Sequence, residues 1–187
     1  GDFVSLQAYS DLKSLGRLVA VRGDSDSPQL KSLLPEREVL DVEEVREQCP
    51  EGVDVVGVYE KGMRGGLEYG PSFQGMVELW GGEGQSIGRL KRPEALRDSV
   101  ESYNFHPALL DAALHVGSVL RPGDGDKGAG VYVPFGLESY SICKAGAGAR
   151  EELWSYMKVR APKGGADGQM TVDVTLVGLD GEVLAQL

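Results

Sequence analysis

The chain contains 187 residues, of which 41% are hydrophobic and 26% charged, so it can form one well-covered core and is not a disordered segment. Its 19 basic and 29 acidic residues give a net charge of −10, which argues against nucleic-acid binding because phosphate neutralisation supplies most of that affinity. Its two cysteines have no metal-ligand spacing, and no membrane span or signal peptide is recognisable. We therefore predict a reduced, cytoplasmic protein that does not enter a membrane.

The first residues predict two short strands, Phe3 to Tyr9 and Arg17 to Arg22. Residues 23–35 are rich in Gly, Asp, Ser and Pro and predict an exposed connector. Asp41 and Glu44 then have the spacing of a capping box, so a short helix is expected to begin there and to end at Cys49-Pro50.

A second short helix is predicted from Asp54 to Met63, with Gly65-Gly66 as its C-terminal break. After that break, Phe73 to Trp80 and Ser86 to Leu90 flank a glycine-rich turn and predict a β-hairpin. The chain from here on is expected to be mainly β.

A longer helix follows the polar loop at residues 91–104, with Pro107 suited to its first turn. Leu109, Ala113, Val116 and Leu120 recur at i, i+4, i+7 and i+11, which predicts one long buried face. Further strands are predicted at Val131–Phe135, Leu137–Cys143, Leu153–Arg160, Met170–Val177 and Glu182–Leu187. One apolar helix among so many strands predicts an α+β fold in which a curved sheet wraps around the helix. The excess of glycine, 27 residues, would serve the bends of such a sheet.

Only two histidines occur, and both belong to this helix region. Asp111 and His115 are four residues apart and should project from one helix face, with Ser118 continuing the line. A carboxyl group beside apolar neighbours can remain a proton donor near neutral pH, and His115 could fix its orientation. The alternatives are a surface ion pair and a solvated helix face. His106, directly before Pro107, is expected to have a structural role at the helix N-terminus.

A metal ion is a weak alternative, because neither H-x-x-x-H nor C-x-x-C spacing is present. The segment at residues 67–74 contains a Gly70-Pro71 turn between Tyr69 and Phe73. It could be a packed turn with two aromatic anchors, or it could direct the Tyr69 hydroxyl into a pocket as a donor.

Three motifs, LEYGPSFQ at 67–74, FHPALLDAALH at 105–115 and YVPFG at 132–136, resemble in order and spacing the C-terminal half of the dehydratase domain of modular polyketide synthases. The resemblance extends from about Leu40 to Leu187 and implies half of a double hot-dog fold. Residues 1–23 would be the last strands of a preceding half, 24–50 a linker with a short helix, and 51–187 the C-terminal hot-dog domain. The first residue is glycine and Leu187 lies in an apolar alternation, so we expect a piece of a longer protein.

The resemblance implies elimination of water from a β-hydroxyacyl thioester on an acyl carrier protein, as a step of polyketide biosynthesis. Asp111 would be the catalytic acid, His115 would hold it and Tyr69 would line the pocket. Substrate-binding positions implied in the same way are Pro71, Phe73, Leu114, Pro134 and Phe135. The base of such enzymes is a histidine in an H-x-x-x-G-x-x-x-x-P motif, which this sequence lacks, so the base is expected outside the chain. The chain alone should then be inactive.

Two further readings stay open: a dehydratase-like isomerase or oxygen-ring cyclase, and a non-catalytic docking remnant. No cofactor is expected, because elimination needs only an acid and a base, and the substrate is carried on the phosphopantetheine of the carrier protein. Expected partners are the acyl carrier protein, the N-terminal hot-dog half, neighbouring synthase domains and a second copy in a homodimer. Lys91, Arg92 and Arg97 are the candidate docking patch for the carrier protein, with a solvated loop as the alternative.

Overall fold

A computed structural model describes residues 39–120, 133–144, 147–160 and 170–187. The predicted strands at Phe3–Tyr9 and Arg17–Arg22 and the connector at 23–35 lie outside the described residues, as do Val131 and Tyr132. In the described ranges, no helix is long and apolar enough to cross a membrane.

The described strands form one antiparallel sheet of seven strands. They are β1 (Glu51–Gly52), β2 (Met76–Gly82), β3 (Gln85–Lys91), β4 (Ser141–Ile142), β5 (Glu152–Val159), β6 (Val172–Val177) and β7 (Val183–Gln186). Their order across the sheet is β1-β2-β3-β5-β6-β7-β4, so the predicted hairpin is the neighbouring pair β2 and β3. The pair β3–β5 has the longest register, from Gln85↔Lys158 to Lys91↔Glu152, and the helix that carries Asp111 contacts strands β2 and β3.

Three helices accompany the sheet: α1 (Val42–Gln48), α2 (Val55–Arg64) and α3 (Pro107–His115). The Asp41 side chain accepts a hydrogen bond from the Glu44 N–H at 3.0 Å, and the Asp54 side chain accepts one from the Val56 N–H at 3.1 Å. Both predicted helix starts are therefore confirmed, since each carboxylate satisfies an N–H group that has no partner inside the helix.

Helix α3 lies against one face of the sheet with the predicted apolar face buried. Leu109, Ala113, Val116 and Leu120 are exposed by 1%, 1%, 0% and 6%. They belong to a core cluster that includes residues of β2, β3, β5, β6 and β7. The observed α-helix is shorter than the predicted one, because the backbone tightens into a 3₁₀ turn at Val116–Val119. Gly117 lies in that turn, and glycine stabilises an α-helix poorly.

Two strand predictions extend too far. The segment Pro71–Phe73 forms a 3₁₀ turn, so β2 begins at Met76 rather than at Phe73. Proline fixes φ near −65° and donates no backbone hydrogen bond, which suits a turn and not a central strand. The same property of proline explains why residues 133–135, which include Pro134, lie outside any strand. The strand predicted at Leu137–Cys143 is also too long, because only Ser141–Ile142 pairs in the sheet. The predicted polar loop at 91–104 contributes buried Leu96 and Val100 to the core.

Candidate active site

Asp111 and His115 lie one turn apart on α3, as their spacing predicted. The Nε2 atom of His115 is 3.1 Å from Oδ2 of Asp111. The His115 side chain is 10% exposed and that of Asp111 is 38% exposed. Both ring nitrogens of His115 are buried without a well-directed hydrogen bond among the described residues, so the close approach to Asp111 is a polar contact whose angles are poor for a hydrogen bond.

The exposure of Asp111 differs from the expectation that apolar neighbours would enclose its carboxyl group. At 38% exposure the Asp111 side chain lies at the rim of the core, whereas Leu110 and Leu114 of the same helix pack against the core cluster. A carboxyl group in this position is accessible to a substrate while the imidazole behind it is not. The Ser118 hydroxyl, which continues the same helix face, is buried without a hydrogen-bond partner in the described ranges.

Tyr69 packs directly on the His115 ring, with centroids 4.4 Å apart and planes inclined at 59°. Partial burial raises the pKa of the Tyr69 hydroxyl, and the nearby Asp111 carboxylate raises the pKa further. The hydroxyl therefore stays protonated at neutral pH and can donate a hydrogen bond. The turn that carries Tyr69 is held by the Gln74 side chain, which donates to the Tyr69 carbonyl at 2.8 Å.

Tyr59, on α2, is a member of this site to which the sequence pattern assigned no chemical role. Its ring centroid lies 5.6 Å from that of Tyr69 and 5.7 Å from that of His115, at interplanar angles of 71° and 85°. Its hydroxyl accepts a hydrogen bond from the Met76 N–H at 3.1 Å, and burial raises the pKa of Tyr59 to about 12. In the sequence, Tyr59 falls within the helix predicted from Asp54 to Met63, but that pattern does not link it to Asp111.

The predicted substrate-binding residues fall into two groups. Pro71 and Phe73 lie on the 3₁₀ turn that packs against α3, the helix that carries both Leu114 and Asp111. Phe73 is 42% exposed and is therefore not the second aromatic anchor of a closed turn. Pro134 and Phe135 lie on a different, exposed segment, and the Phe135 ring is 80% exposed.

The structural role predicted for His106 is confirmed. Its Nδ1 atom accepts a hydrogen bond from the Ala108 N–H at 3.1 Å and so caps the N-terminus of α3. Its Nε2 atom is 3.3 Å from Oγ of Ser99, and the Tyr103 ring packs against it. Burial lowers the pKa of His106, which keeps the imidazole neutral and able to accept at Nδ1.

In the ranges that the structure describes, no three or more His, Cys, Asp or Glu side chains are grouped so that they could hold a metal ion.

An antiparallel sheet packed on one helix that carries an Asp–His pair defines a hot-dog domain with a candidate acid. The family model described as "Polyketide synthase dehydratase N-terminal domain" matches residues 37–187, and the chain belongs to the polyketide synthase dehydratase family. That description names an N-terminal domain, whereas the motif order led us to expect the C-terminal hot-dog half. The assignment to the C-terminal half stays a prediction.

Relatives agree with this family. The chain is 27% identical over 149 residues to polyketide synthase PksN of Bacillus subtilis, which covers 79% of the chain and 3% of PksN. Among solved structures, the dehydratase domain from the CurF module of curacin polyketide synthase is 29% identical with a TM-score of 0.70, covering 81% of this chain and 50% of that one. The CurK dehydratase domain of the same synthase is 27% identical with a TM-score of 0.68, at 81% and 50% coverage.

These likenesses confirm the predicted α+β hot-dog fold. The chain spans about half the length of the solved dehydratase domains that it matches, in agreement with half of a double hot-dog. It spans only 3% of the length of the synthase PksN.

Proposed function

We propose that this chain provides the acid side of a dehydratase active site that converts a β-hydroxyacyl thioester into the α,β-unsaturated thioester. In this reaction a base removes the proton from Cα, the electron pair of that C–H bond forms the Cα=Cβ double bond, and the Cβ–O bond breaks. The Asp111 carboxyl group gives its proton to the departing hydroxyl, which leaves as water. The base is a histidine expected outside this chain.

The observation that carries the proposal is the position of Asp111. Its carboxyl group is partly exposed, while His115 is buried behind it and the Tyr69 ring covers His115. This arrangement presents one carboxyl oxygen to a substrate and restrains the other against the imidazole. Neighbouring protonated Tyr69 can donate to an oxygen of the bound acyl chain.

Structures of the related CurK dehydratase support the same chemistry. One is described as an inactive mutant with an aspartate changed to asparagine, and another as an inactive mutant with a histidine changed to phenylalanine. An aspartate acting as the acid and a histidine acting as the base would supply the two proton transfers that the elimination requires. In this chain we assign that aspartate to Asp111, which lies on α3 beside His115 and near the Tyr69 ring that packs on His115.

The substrate would arrive on the phosphopantetheine arm of an acyl carrier protein, and no resident cofactor is needed for the elimination. Each basic residue proposed to dock that partner already has a polar contact within the chain. Lys91 Nζ lies 3.8 Å from Glu152, Arg92 donates to the Ala149 carbonyl at 2.8 Å, and Arg97 pairs with Glu94 at 2.7 Å. Docking there would depend on local fit more than on net attraction, because this chain has a net charge of −10 and the carrier protein is expected to be acidic as well.

The test uses the intact domain, meaning this chain together with the other hot-dog half. A 3-hydroxyacyl pantetheine thioester is added, and the absorbance of the conjugated enoyl product is followed. Asp111→Asn should lower turnover by at least about a hundredfold, because an amide cannot protonate the leaving hydroxyl. The matched control is Asp98→Asn, which changes an exposed aspartate on the loop before α3 and should leave turnover unchanged.

Near wild-type turnover in Asp111→Asn would remove Asp111 from the mechanism. Dehydration by this chain alone would show that no second half is needed. Mass and NMR analysis of the product distinguishes a conjugated enoyl thioester from a shifted double bond or a cyclic ether, the products of the isomerase and cyclase alternatives. A docking remnant would form none of these products in the intact domain.

A further inference from the structure

We propose that Tyr59 is a positioning residue of this site: through its hydroxyl anchor on strand β2 it sets the orientation of the His115 ring beside Asp111. The inference rests on the proposed dehydratase function, because it concerns the same acid. Tyr59 lies on α2, outside the helix that carries Asp111, and sixteen residues of chain separate it from its anchor Met76.

The anchor is a single backbone contact. The Tyr59 hydroxyl accepts the Met76 N–H at 3.1 Å, and Met76 is the first residue of β2 and is 2% exposed. The N–H is therefore shielded from water, and a buried donor without a partner is costly. This bond attaches α2 to the edge of the sheet at the point where the turn that carries Tyr69 ends.

The Tyr59 ring, held by this hydrogen bond, contacts the imidazole that lies beside Asp111. Tyr59, Tyr69 and His115 contact one another in all three pairings, with centroid distances of 5.6, 5.7 and 4.4 Å. Edge-to-face and tilted pairs are directional, so moving one ring changes the preferred tilt of the others. The cluster thus has one ring fixed to the sheet, one on the turn and one on α3.

His115 relies on packing contacts to fix its tilt, because the described hydrogen bonds do not fix it. Neither of its ring nitrogens makes a well-directed hydrogen bond within the described residues. Its Nε2 atom nevertheless lies 3.1 Å from the Asp111 carboxylate. A small rotation of the ring would either improve this approach or break it, and the two tyrosine rings contact His115 where they can restrain that rotation.

The hydroxyl acts as a neutral group. Burial raises the pKa of Tyr59 to about 12, which the Met76 N–H opposes and the nearby Tyr69 and Asp111 reinforce. Tyr59 is therefore protonated throughout the physiological range, and its effect on Asp111 is one of geometry and not of charge.

The central experiment is Tyr59→Phe in the intact domain, which keeps the ring and removes the anchor. We expect kcat to fall by about tenfold, less than the roughly hundredfold cost of an ångström-scale misplacement, with KM changed less than about twofold. The matched control is Tyr156→Phe. In the wild type, the Tyr156 hydroxyl donates to the Gln85 side chain at 2.7 Å, and the ring packs with a separate cluster around Ile87. This variant should change neither constant.

A second readout reports on His115 itself. In the domain labelled with ¹⁵N-histidine, the imidazole resonances of His115, assigned with a His115→Gln variant, should shift in Tyr59→Phe and stay in place in Tyr156→Phe. A Tyr59→Phe protein with wild-type kcat and unshifted resonances would overturn the inference, as would a rise in KM at unchanged kcat, which would indicate direct substrate contact. Asp111→Asn is assayed beside it. If that variant is active, the proposed function fails. If it is inactive while Tyr59→Phe is normal, only the positioning role fails.

Discussion

The Val116 side chain of the helix region lies directly over Gly88 of strand β3. A Cβ atom placed on Gly88 would be 2.7 Å from Cγ2 of Val116 and 3.0 Å from the Glu78 carbonyl oxygen. No side chain larger than hydrogen fits there without a shift, because real Cβ contacts are not that short. Val116 directly follows His115 in the chain, so this missing side chain determines how closely the acid-bearing helix approaches the sheet.

Gly88→Ala should therefore both destabilise the domain and disturb the site. We expect a loss of about 1–3 kcal/mol in the free energy of unfolding, as for other overpacked cores, together with a reduced kcat. Urea denaturation and the enoyl assay measure the two effects. The control is Gly52→Ala on β1, where the added methyl group would meet only the Trp80 ring at an ordinary 3.7 Å. Equal stability of the two variants would contradict the packing argument.

Two buried serines also hold the C-terminal end of α3. The Ser86 hydroxyl donates to the Val116 carbonyl at 2.9 Å, and the Ser155 hydroxyl donates to the Ala113 carbonyl at 3.1 Å. Ser86→Ala and Ser155→Ala should each cost about 1–2 kcal/mol, because a buried carbonyl at a helix end loses its donor. Denaturation of the single and double variants tests this, with exposed Ser141→Ala as the control. Losses no larger than that of the control would show that these bonds contribute nothing.

The elements of this fold with local signals could be predicted from the sequence, and those that depend on distant partners could not. Asp41 and Asp54 mark helix starts because a cap involves only neighbouring residues. Asp111 and His115 could be paired because helical geometry fixes i and i+4 side chains on one face. The contact of Tyr59 with His115 depends on how α2 docks on α3, which periodicity does not specify. The strand predicted at Val131–Phe135 is wrong for residues 133–135, because Pro134 donates no backbone hydrogen bond and this outweighs the apolar alternation.

His115 is predicted to act through its shape and its polar atoms. His115→Gln should keep kcat within about tenfold of wild type, because an amide can also lie against the Asp111 carboxyl group. His115→Ala should lower kcat further, because it leaves a cavity beside the Tyr69 ring and removes the side chain that restrains the Asp111 carboxyl group. The enoyl assay on both variants measures the difference. If alanine and glutamine variants had the same kcat, a role in holding Asp111 would be contradicted.

Tyr140 offers a test of stability against pH. Its hydroxyl is buried with no hydrogen-bond partner in the part of the chain that the structure describes, and burial raises the pKa of Tyr140 to about 12 from a usual value of 10.0. Between these pH values the unfolded chain releases a proton that the folded chain keeps. The contribution of Tyr140 to stability is thus complete below pH 10.0 and is lost as the pH rises toward 12, by less than about 1.4 kcal/mol per pH unit because the ring is only partly buried and solvent screens the shift.

Tyr140→Phe should remove this part of the alkaline destabilisation, while Tyr59, whose pKa is raised in the same direction, continues to contribute its own. Near pH 7 the variant should be as stable as wild type or up to about 1 kcal/mol more stable, because no described hydrogen bond is lost. Urea unfolding of the intact domain at neutral pH and at two pH values above 10 gives both numbers. A loss of about 1.5 kcal/mol or more at neutral pH would mean that the Tyr140 hydroxyl has a partner, and an unchanged alkaline slope would mean that it is not shielded from water.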